Sequence, residues 1–320
     1  MSYMQGRGVR IDRHLTNIAL SYTATGFIAD MVFPVAQVQK QSGVIATFSQ
    51  ADLFRRENTK RSPGAEANKV SYQVGSASYY ANNYALKEDV TIEDRANADP
   101  IFINQLETGR VNRVMQSLMI DWEVRVATAA TATTAVGTSA AVGSAWTDFT
   151  NSDPIGDVQS QINNVHDATA YRPNRIVFGE AAWRNFREND TVIDKARATG
   201  ISGGGLNITE SLAETLFEVE KVSVGRLKYN TAQEGIAQSL TDAWGDHVLV
   251  YYAPAAPSIE VPSFGYSLRW SGNGLANMSV ERHPFDPKTK TDEIEIGYYQ
   301  DELILSSALG ALVTNVTSST

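Results

Sequence analysis

The longest regular pattern of apolar positions runs from residue 99 to about residue 130 and predicts one long helix. Asp99 can cap the first free amides, and Pro100 suits the first helical position because its missing N–H needs no partner there. The main apolar stripe follows the helical period through Val111, Val114, Met115, Leu118, Met119, Trp122 and Val126. A weaker apolar row lies roughly opposite and contains Phe102, Leu106, Gly109, Ile120 and Val124. A helix that is apolar on two sides is covered on both, so we expect a sheet of its own chain against the stripe. A crossing arm or a neighbouring subunit would cover the second row.

A long hairpin is predicted upstream of this helix, where the apolar pattern changes to alternation between Gly43 and about Asp94. The two alternating runs are separated by a polar segment that has a turn signal at Pro63–Gly64. That segment carries the basic residues Arg55, Arg56, Lys60 and Arg61. A solvated loop is the simple interpretation of such a charge run. The length of the hairpin favours the alternative, in which the tip reaches another molecule.

The rest of the chain divides by pattern. Residues 1 to about 45 contain scattered apolar positions without a period, which indicates an arm that lies along another surface. Residues 128–150 are rich in Ala, Thr and Gly and predict a crossing segment. Residues 151 to about 253 alternate helix and strand patterns, as in a compact α/β domain, and the remainder returns to strands. We expect these last strands to pack under the long helix, so that the α/β domain is inserted between two parts of another.

Composition narrows the class of protein. The chain has 320 residues and a net charge of −9, which argues against a surface that binds nucleic acid throughout. It has no cysteine, which excludes disulfides, thiolate metal sites and cysteine nucleophiles. Its beginning lacks the apolar core of a signal peptide, and no run of about 18 apolar residues could span a bilayer. We therefore expect a soluble protein that is made in a cytoplasm and has no membrane contact.

Candidate chemistry is sparse. The four histidines are scattered without the spacing of metal ligands. The glycine-rich run GISGGGLN lacks the Gly-Lys-Ser/Thr of a phosphate-binding loop, which favours a plain loop. The carboxylates of DEIEIGYYQDEL suggest an acid/base pair, but in an alternating strand they are more simply the polar face of a sheet. We expect no catalytic residue, no cofactor and no metal.

The order of these parts resembles the major capsid protein of tailed bacteriophages, the Johnson-fold shell subunit. The stretches that carry the resemblance, over nearly the whole chain, are LTNIALSYTATGFIADMVFPV, LFRRENTKRSPGAEANKVSY, YALKEDVTIEDRANAD, PNRIVFG, LAETLFEVEKVSVGRLKYNTA and WGDHVLVYYAP. The resemblance implies an α+β fold with an N-terminal arm, an extended β-hairpin loop, a peripheral domain built of spine helix and sheet, and an inserted α/β axial domain. In this chain these parts would be 1–45 (arm), 46–94 (extended loop), 95–150 (spine helix and crossing segment), 151–253 (axial domain) and 254–320 (returning peripheral strands).

The resemblance also implies a function. The chain would be a structural subunit, not an enzyme, that self-assembles as hexamers and pentamers into the icosahedral shell of a virion. The shell would enclose double-stranded DNA without sequence-specific contact, and the subunit would be made in the host bacterial cytoplasm. Scaffolding, portal and decoration proteins are further candidate partners. The basic hairpin residues and the second apolar row of the helix are then expected to contact neighbouring subunits.

Three other classes of protein remain as alternatives. An encapsulin-type cage has the same fold but encloses cargo enzymes. An enzyme built on residues 151–253 is less favoured because the motifs of catalytic sites are absent. A generic self-assembling surface protein is the third.

Overall fold

The chain is described by a computed structural model over residues 10–21, 26–48, 54–64, 66–70, 74–98, 103–198, 208–254, 262–272 and 278–317. Three features singled out in the sequence lie outside the described residues. They are the proposed helix start at Asp99 and Pro100, Phe102 of the second apolar row, and the glycine-rich run Gly200–Asn207.

Helices and strands are mixed along the chain, as the α+β prediction requires. The described helices are α1 (Arg13–Ser21), α2 (Ala29–Val32), α3 (Ile92–Asn97), α4 (Ile103–Thr131), α5 (Pro154–Thr169), α6 (Glu180–Glu188), α7 (Asp190–Ala198) and α8 (Glu210–Phe217), with a 3₁₀ turn at Ser307–Leu309. The described strands are β1 (Arg10–Ile11), β2 (Val35–Val38), β3 (Ser42–Phe48), β4 (Val74–Tyr80), β5 (Asn82–Thr91), β6 (Thr138–Ala141), β7 (Arg175–Gly179), β8 (Lys221–Gly225), β9 (Lys228–Asn230), β10 (Leu240–Asp242), β11 (Val248–Tyr251), β12 (Gly265–Trp270), β13 (Ser279–Arg282), β14 (Thr291–Ile304) and β15 (Gly310–Thr314).

A six-stranded sheet is organised around β14, the longest strand. One edge of β14 pairs with β5, and its other edge pairs with β13 and then β12. The arm extends this sheet, because β1 pairs with β13 and β2 pairs with β12. The main stripe of α4 packs on the sheet, where Val111, Met115 and Leu118 form a buried cluster with Val280 and Ile296. The expected helix-on-sheet layer, built from both ends of the chain, is therefore present.

A five-stranded sheet in the order β6-β15-β11-β7-β8 forms the second layer, with α5, α6 and α8 packed against one face. Two of its strands come from segments that the sequence assigned to the domain of the long helix, namely β6 from 95–150 and β15 from 254–320. That assignment is wrong at these two strands. Leu312 and Val313 are adjacent in β15 and both are buried, so the strand needs cover on both faces. The five-stranded sheet supplies that cover: Val313 packs against the cluster of α5, α6 and α8, and Leu312 packs on the other face with Phe33 and Trp122.

The predicted hairpin is also present. β3 and β4 pair antiparallel from Ser42 opposite Tyr80 to Phe48 opposite Val74, and β5 then enters the six-stranded sheet. Between these strands, residues 54–64 and 66–70 are all exposed. The hairpin therefore projects from the sheet.

Candidate assembly surfaces and the junction of the two sheets

The hairpin tip, which we define as residues 54–64 and 66–70, is basic. It contains five basic and two acidic residues, a net charge of +3. Two hydrogen bonds around Asn58 shape it: the Lys60 amide donates to Asn58 Oδ1 at 3.1 Å, and Asn68 Nδ2 donates to the Asn58 carbonyl at 2.6 Å. The four predicted contact residues Arg55, Arg56, Lys60 and Arg61 all lie on this exposed segment.

Apolar side chains are also exposed along the hairpin. Val44, Phe54, Val70 and Tyr80 have between 45% and 67% of their surface accessible. Phe54 makes an edge-to-face contact with Tyr171, at 5.0 Å between ring centroids, and so lies against the domain that carries α5. Exposed apolar side chains on a projecting element are typical of surfaces that bind other proteins.

The second apolar row of α4 divides into covered and open positions. Leu106 is half-buried and packs against the cluster between α4 and the six-stranded sheet, so its own chain covers part of it. Gly109 is exposed, and a Cβ built there would meet no atom within 4 Å. Ile120 and Val124 are half-buried. In this row Gly109 is therefore open, whereas Leu106, Ile120 and Val124 are each partly covered.

The most unusual polar contact lies on α4 at Glu123, which has 0% of its surface exposed. Its carboxylate accepts hydrogen bonds from the Ile28 amide at 3.0 Å, the Ala29 amide at 2.7 Å and Trp244 Nε1 at 2.6 Å. The two amides begin α2 of the arm, and Trp244 precedes β11 of the five-stranded sheet. Glu123 thus joins three distant segments of the chain.

Two opposing effects act on the ionisation of Glu123. Burial raises its pKa, because removal from water disfavours the charged form. The N–H donors of Trp244, Ala29 and Ile28 lower the pKa, because they bond to the carboxylate. All the groups bonded to its two oxygens are donors. A protonated carboxyl would direct its O–H towards one of these N–H groups, whereas the ionised carboxylate accepts from all of them.

Sequence reasoning missed Glu123 because an acidic residue in a helix is normally assigned to the solvent face. A signal for it exists. Glu123 lies four residues after Met119 and three before Val126, inside the main apolar stripe. A lone carboxylate within such a stripe requires buried donors to balance the cost of losing water.

The carboxylates of β14, considered above as an acid/base pair, are engaged in structural pairs. Asp292 pairs with Arg95, and Glu293 pairs with Lys87 at 3.0 Å. Glu302 lies 3.3 Å from Arg125, whose guanidinium stands 3.4 Å from the centre of the Tyr84 ring. Burial raises the pKa of Glu302, and the Arg125 charge opposes that rise. These ion pairs join β14 to β5 through Lys87, to α3 through Arg95 and to α4 through Arg125.

Two surface clefts of about 470 and 380 Å³ adjoin α8. Two cations of the larger cleft face carboxylates, with Arg226 at 2.8 Å from Glu210 and Lys221 at 3.3 Å from Glu214. Within the described ranges, no three histidine, aspartate or glutamate side chains group as metal ligands would. The helices of that same part of the chain also include none with the length and apolar character needed to cross a bilayer.

Two phage proteins are similar to this sequence over nearly its whole length. The major capsid protein of Burkholderia phage BcepMu is 28% identical over 292 residues, which cover 88% of this chain and 91% of the relative. The major capsid protein of Pseudomonas phage JBD67 is 24% identical over 321 residues, covering 96% and 97% respectively. No protein-family model matches the chain.

Solved structures share the fold. A phage-related protein of Bordetella bronchiseptica superposes with a TM-score of 0.74 at 23% identity, over 97% of this chain and 98% of that one. The capsid of cyanophage P-SCSP1u gives 0.59 at 13% identity, over 92% and 89%. The SrpI encapsulin of Synechococcus elongatus gives 0.51 at 11% identity, over 97% and 98%. The resemblance drawn from the sequence is therefore confirmed: the chain has the α+β phage major-capsid fold, and its relatives are major capsid proteins of bacteriophages.

Proposed function

We propose that this chain is the major capsid protein of a tailed bacteriophage, a structural subunit that self-assembles in many copies into the shell of a virion. The observation that carries the proposal is sequence similarity over nearly the whole length to two phage major capsid proteins, on a chain with the capsid fold. The SrpI encapsulin shares the fold at 11% identity, below the 28% and 24% identities to the two phage proteins. Sequence similarity therefore favours the phage shell over the cargo cage.

The finer form of the proposal is an icosahedral shell of hexamers and pentamers around double-stranded DNA, without sequence-specific contact. The net charge of −9 supports a wall that does not adhere to DNA as a whole. Synthesis in the host bacterial cytoplasm, and scaffolding, portal and decoration partners, complete the proposal. A structural rather than enzymatic role agrees with the ion-paired carboxylates of β14.

The parts of the chain receive roles in this proposal. Residues 1–45 are the arm, 46–94 the extended loop, and α4 the spine of the peripheral domain. Residues 151–253 form the axial domain, which we extend to include β6 and β15 because both strands pair within its sheet. The peripheral domain then keeps the six-stranded sheet.

The hairpin tip is proposed to bind a second copy of the chain. The chain carries −9 and the tip +3, so the remainder of each subunit carries −12. Opposite charge on the two surfaces favours approach and register, and the exposed apolar residues beside the tip supply contact area. Gly109, Ile120 and Val124 form the second proposed contact, together with Phe102 and the uncovered part of Leu106.

The charge of the tip can be tested with the double variant Arg55→Glu, Arg61→Glu. We expect a folded subunit with an unchanged melting temperature, since exposed charges contribute little to folding. Closed shells should be lost, because charge reversal places like charges against the acidic partner surface. Arg184→Glu with Lys288→Glu is the matched control, with the same change of charge at exposed positions outside the hairpin.

Negative-stain microscopy at physiological salt provides the measurement. Uniform icosahedral particles of the unaltered chain support the capsid proposal, and a stable small monomer would contradict it. Normal assembly of the Arg55, Arg61 variant would show that the tip does not set register. Double-stranded DNA rather than cargo enzyme inside native particles would decide between phage shell and encapsulin.

A further inference from the structure

The geometry points to Glu123 as a positioning residue for assembly: it locks the arm turn Ile28–Phe33 between the two sheets and so sets the angle at which the sheets of one subunit meet. This role rests on the proposed function, because the angle matters only in a closed shell. The contacts of the turn carry the inference.

Glu123 holds the beginning of the turn. Its two carboxylate oxygens receive the amides of Ile28 and Ala29, which are free donors because they begin the helix α2. The same carboxylate receives Trp244 Nε1 from the segment that leads into β11. One side chain of α4 therefore binds the arm and the five-stranded sheet together.

The axial side holds the end of the same turn. The Met31 carbonyl accepts hydrogen bonds from Arg175 Nη1 at 2.7 Å and from the Tyr251 hydroxyl at 3.1 Å. Arg175 begins β7 and Tyr251 ends β11, so both donors belong to the five-stranded sheet. The turn is thus bonded to α4 at one end and to the second sheet at the other.

An apolar core fills the space around the turn. Val32 and Phe33 are fully buried, and Phe33 lies 5.7 Å from Phe264, at the start of the segment that leads into β12. Phe264 lies in turn 5.9 Å from Tyr251. The arm turn therefore packs between the two sheets, and its position determines how closely the sheets approach each other.

Directional polar contacts explain why a carboxylate occupies this place. Apolar contacts are nearly non-directional, so the core alone would permit several sliding arrangements of the two sheets. A buried carboxylate with every acceptor position matched to a donor permits only one. In a closed shell every copy must meet its neighbours at a defined angle, so an error inside the subunit is repeated at each interface.

The substitution Glu123→Gln tests the lock with almost no change of shape. One oxygen accepts from Ile28 and Trp244, and the other from Ile28 and Ala29. Either orientation of the amide places its NH2 group against a donor. Trp244→Phe is the milder variant, since it removes the indole donor and leaves the bonds to the arm. Val158→Ala, in the core of the five-stranded sheet, is the control for lost stability.

Two measurements on the full chain separate positioning from stability. Hydrogen exchange of the unassembled subunit should show the Ile28 and Ala29 amides exchanging faster by about tenfold or more in Glu123→Gln, and unchanged in Val158→Ala. Electron microscopy should show a broad spread of particle diameters for Glu123→Gln and a smaller spread for Trp244→Phe. Val158→Ala should give fewer particles of the original diameter.

Unaltered diameters for Glu123→Gln would overturn the positioning role, as would the same broad spread for Val158→Ala. If Glu123→Gln does not fold, the spread of particle diameters in Trp244→Phe decides: a spread no broader than that of the unaltered chain would overturn the positioning role. A failure of the unaltered chain to form any shell would overturn the proposed function, and this role with it.

Discussion

Replacing Trp122 by alanine probes the centre of the junction between α4 and the two sheets. Trp122 is 7% exposed and packs in the same buried cluster as Phe33 and Tyr251. The guanidinium of Arg269 lies 5.4 Å from the centre of its ring. The indole N–H is buried without a hydrogen-bond partner in the described part of the chain.

Three contributions determine the change in the free energy of unfolding. Truncation of a buried tryptophan to alanine costs about 3–5 kcal/mol. Loss of the cation–π contact with Arg269 adds about 1 kcal/mol. Removal of the unpartnered N–H returns about 1–2 kcal/mol, because its desolvation is no longer incurred. We expect a net loss of about 2–5 kcal/mol for Trp122→Ala.

Thermal unfolding of the unassembled subunit measures this loss. At about 2 °C of melting temperature per kcal/mol, the lower value for larger domains, this loss predicts a decrease of about 4–10 °C. Trp122→Phe should cost less, since it keeps most of the ring and removes the unpartnered N–H. Gln116→Ala on the exposed side of α4 should leave the melting temperature nearly unchanged. A melting temperature for Trp122→Ala equal to that of the unaltered chain would refute its placement in the core.

Two further substitutions test the packing. Burial raises the pKa of Tyr298 to about 12 from an ordinary value of 10.0. The stability that the neutral Tyr298 hydroxyl contributes is therefore complete below about pH 10 and is lost as the pH rises towards 12. Tyr298→Phe should reduce the fall in melting temperature over that pH interval. An identical alkaline melting profile for the variant would contradict the raised pKa of Tyr298. Gly179→Ala should lower the yield of folded subunit, because a Cβ there would overlap the Gly245 carbonyl oxygen, whereas Gly143→Ala, with open space around it, should be tolerated. Equal yields of the two variants in a soluble-expression assay would contradict the close approach at Gly179.

Elements with a local period could be predicted from the sequence. The stripe through Val111, Met115 and Trp122 repeats with the helical period, and the structure has the helix over Ile103–Thr131. The alternation on each side of the basic segment likewise became the paired strands β3 and β4. Such patterns succeed because each reports only on which side of its own element is buried.

Partners distant in the chain could not be predicted in the same way. The run GALVT of β15 is apolar at nearly every position, which indicates burial on both faces but does not say in which sheet. Its place beside β11 depends on a register that brings Leu249 opposite Leu312 and Val250 opposite Ala311. The segments that pair are about sixty residues apart, so no local pattern encodes the choice.

Glu123 shows a different limit. Its position inside the apolar stripe was visible, but its donors come from an arm turn without periodicity and from a tryptophan in a connecting segment. A buried carboxylate is stabilised by whichever donors the completed fold supplies, so its role appears only after the three segments are placed together. For the same reason the contact residues of the hairpin tip remain predictions, since their partners would lie on another copy.

The hairpin and the junction of the two sheets differ in how their side chains are satisfied within one chain. At the junction, the carboxylate of Glu123 and the carbonyl of Met31 are satisfied within the subunit, which favours one internal arrangement. On the hairpin, Val44, Phe54 and Tyr80 remain exposed, which favours association but endangers the solubility of free subunits. The charges of the tip beside these apolar residues oppose non-specific association, as charged residues beside apolar strands commonly do. In the proposed shell, the internal contacts of Glu123 would fix the shape of each subunit, and the charged hairpin would join it to its neighbours at a defined angle, as a closed shell of identical chains requires.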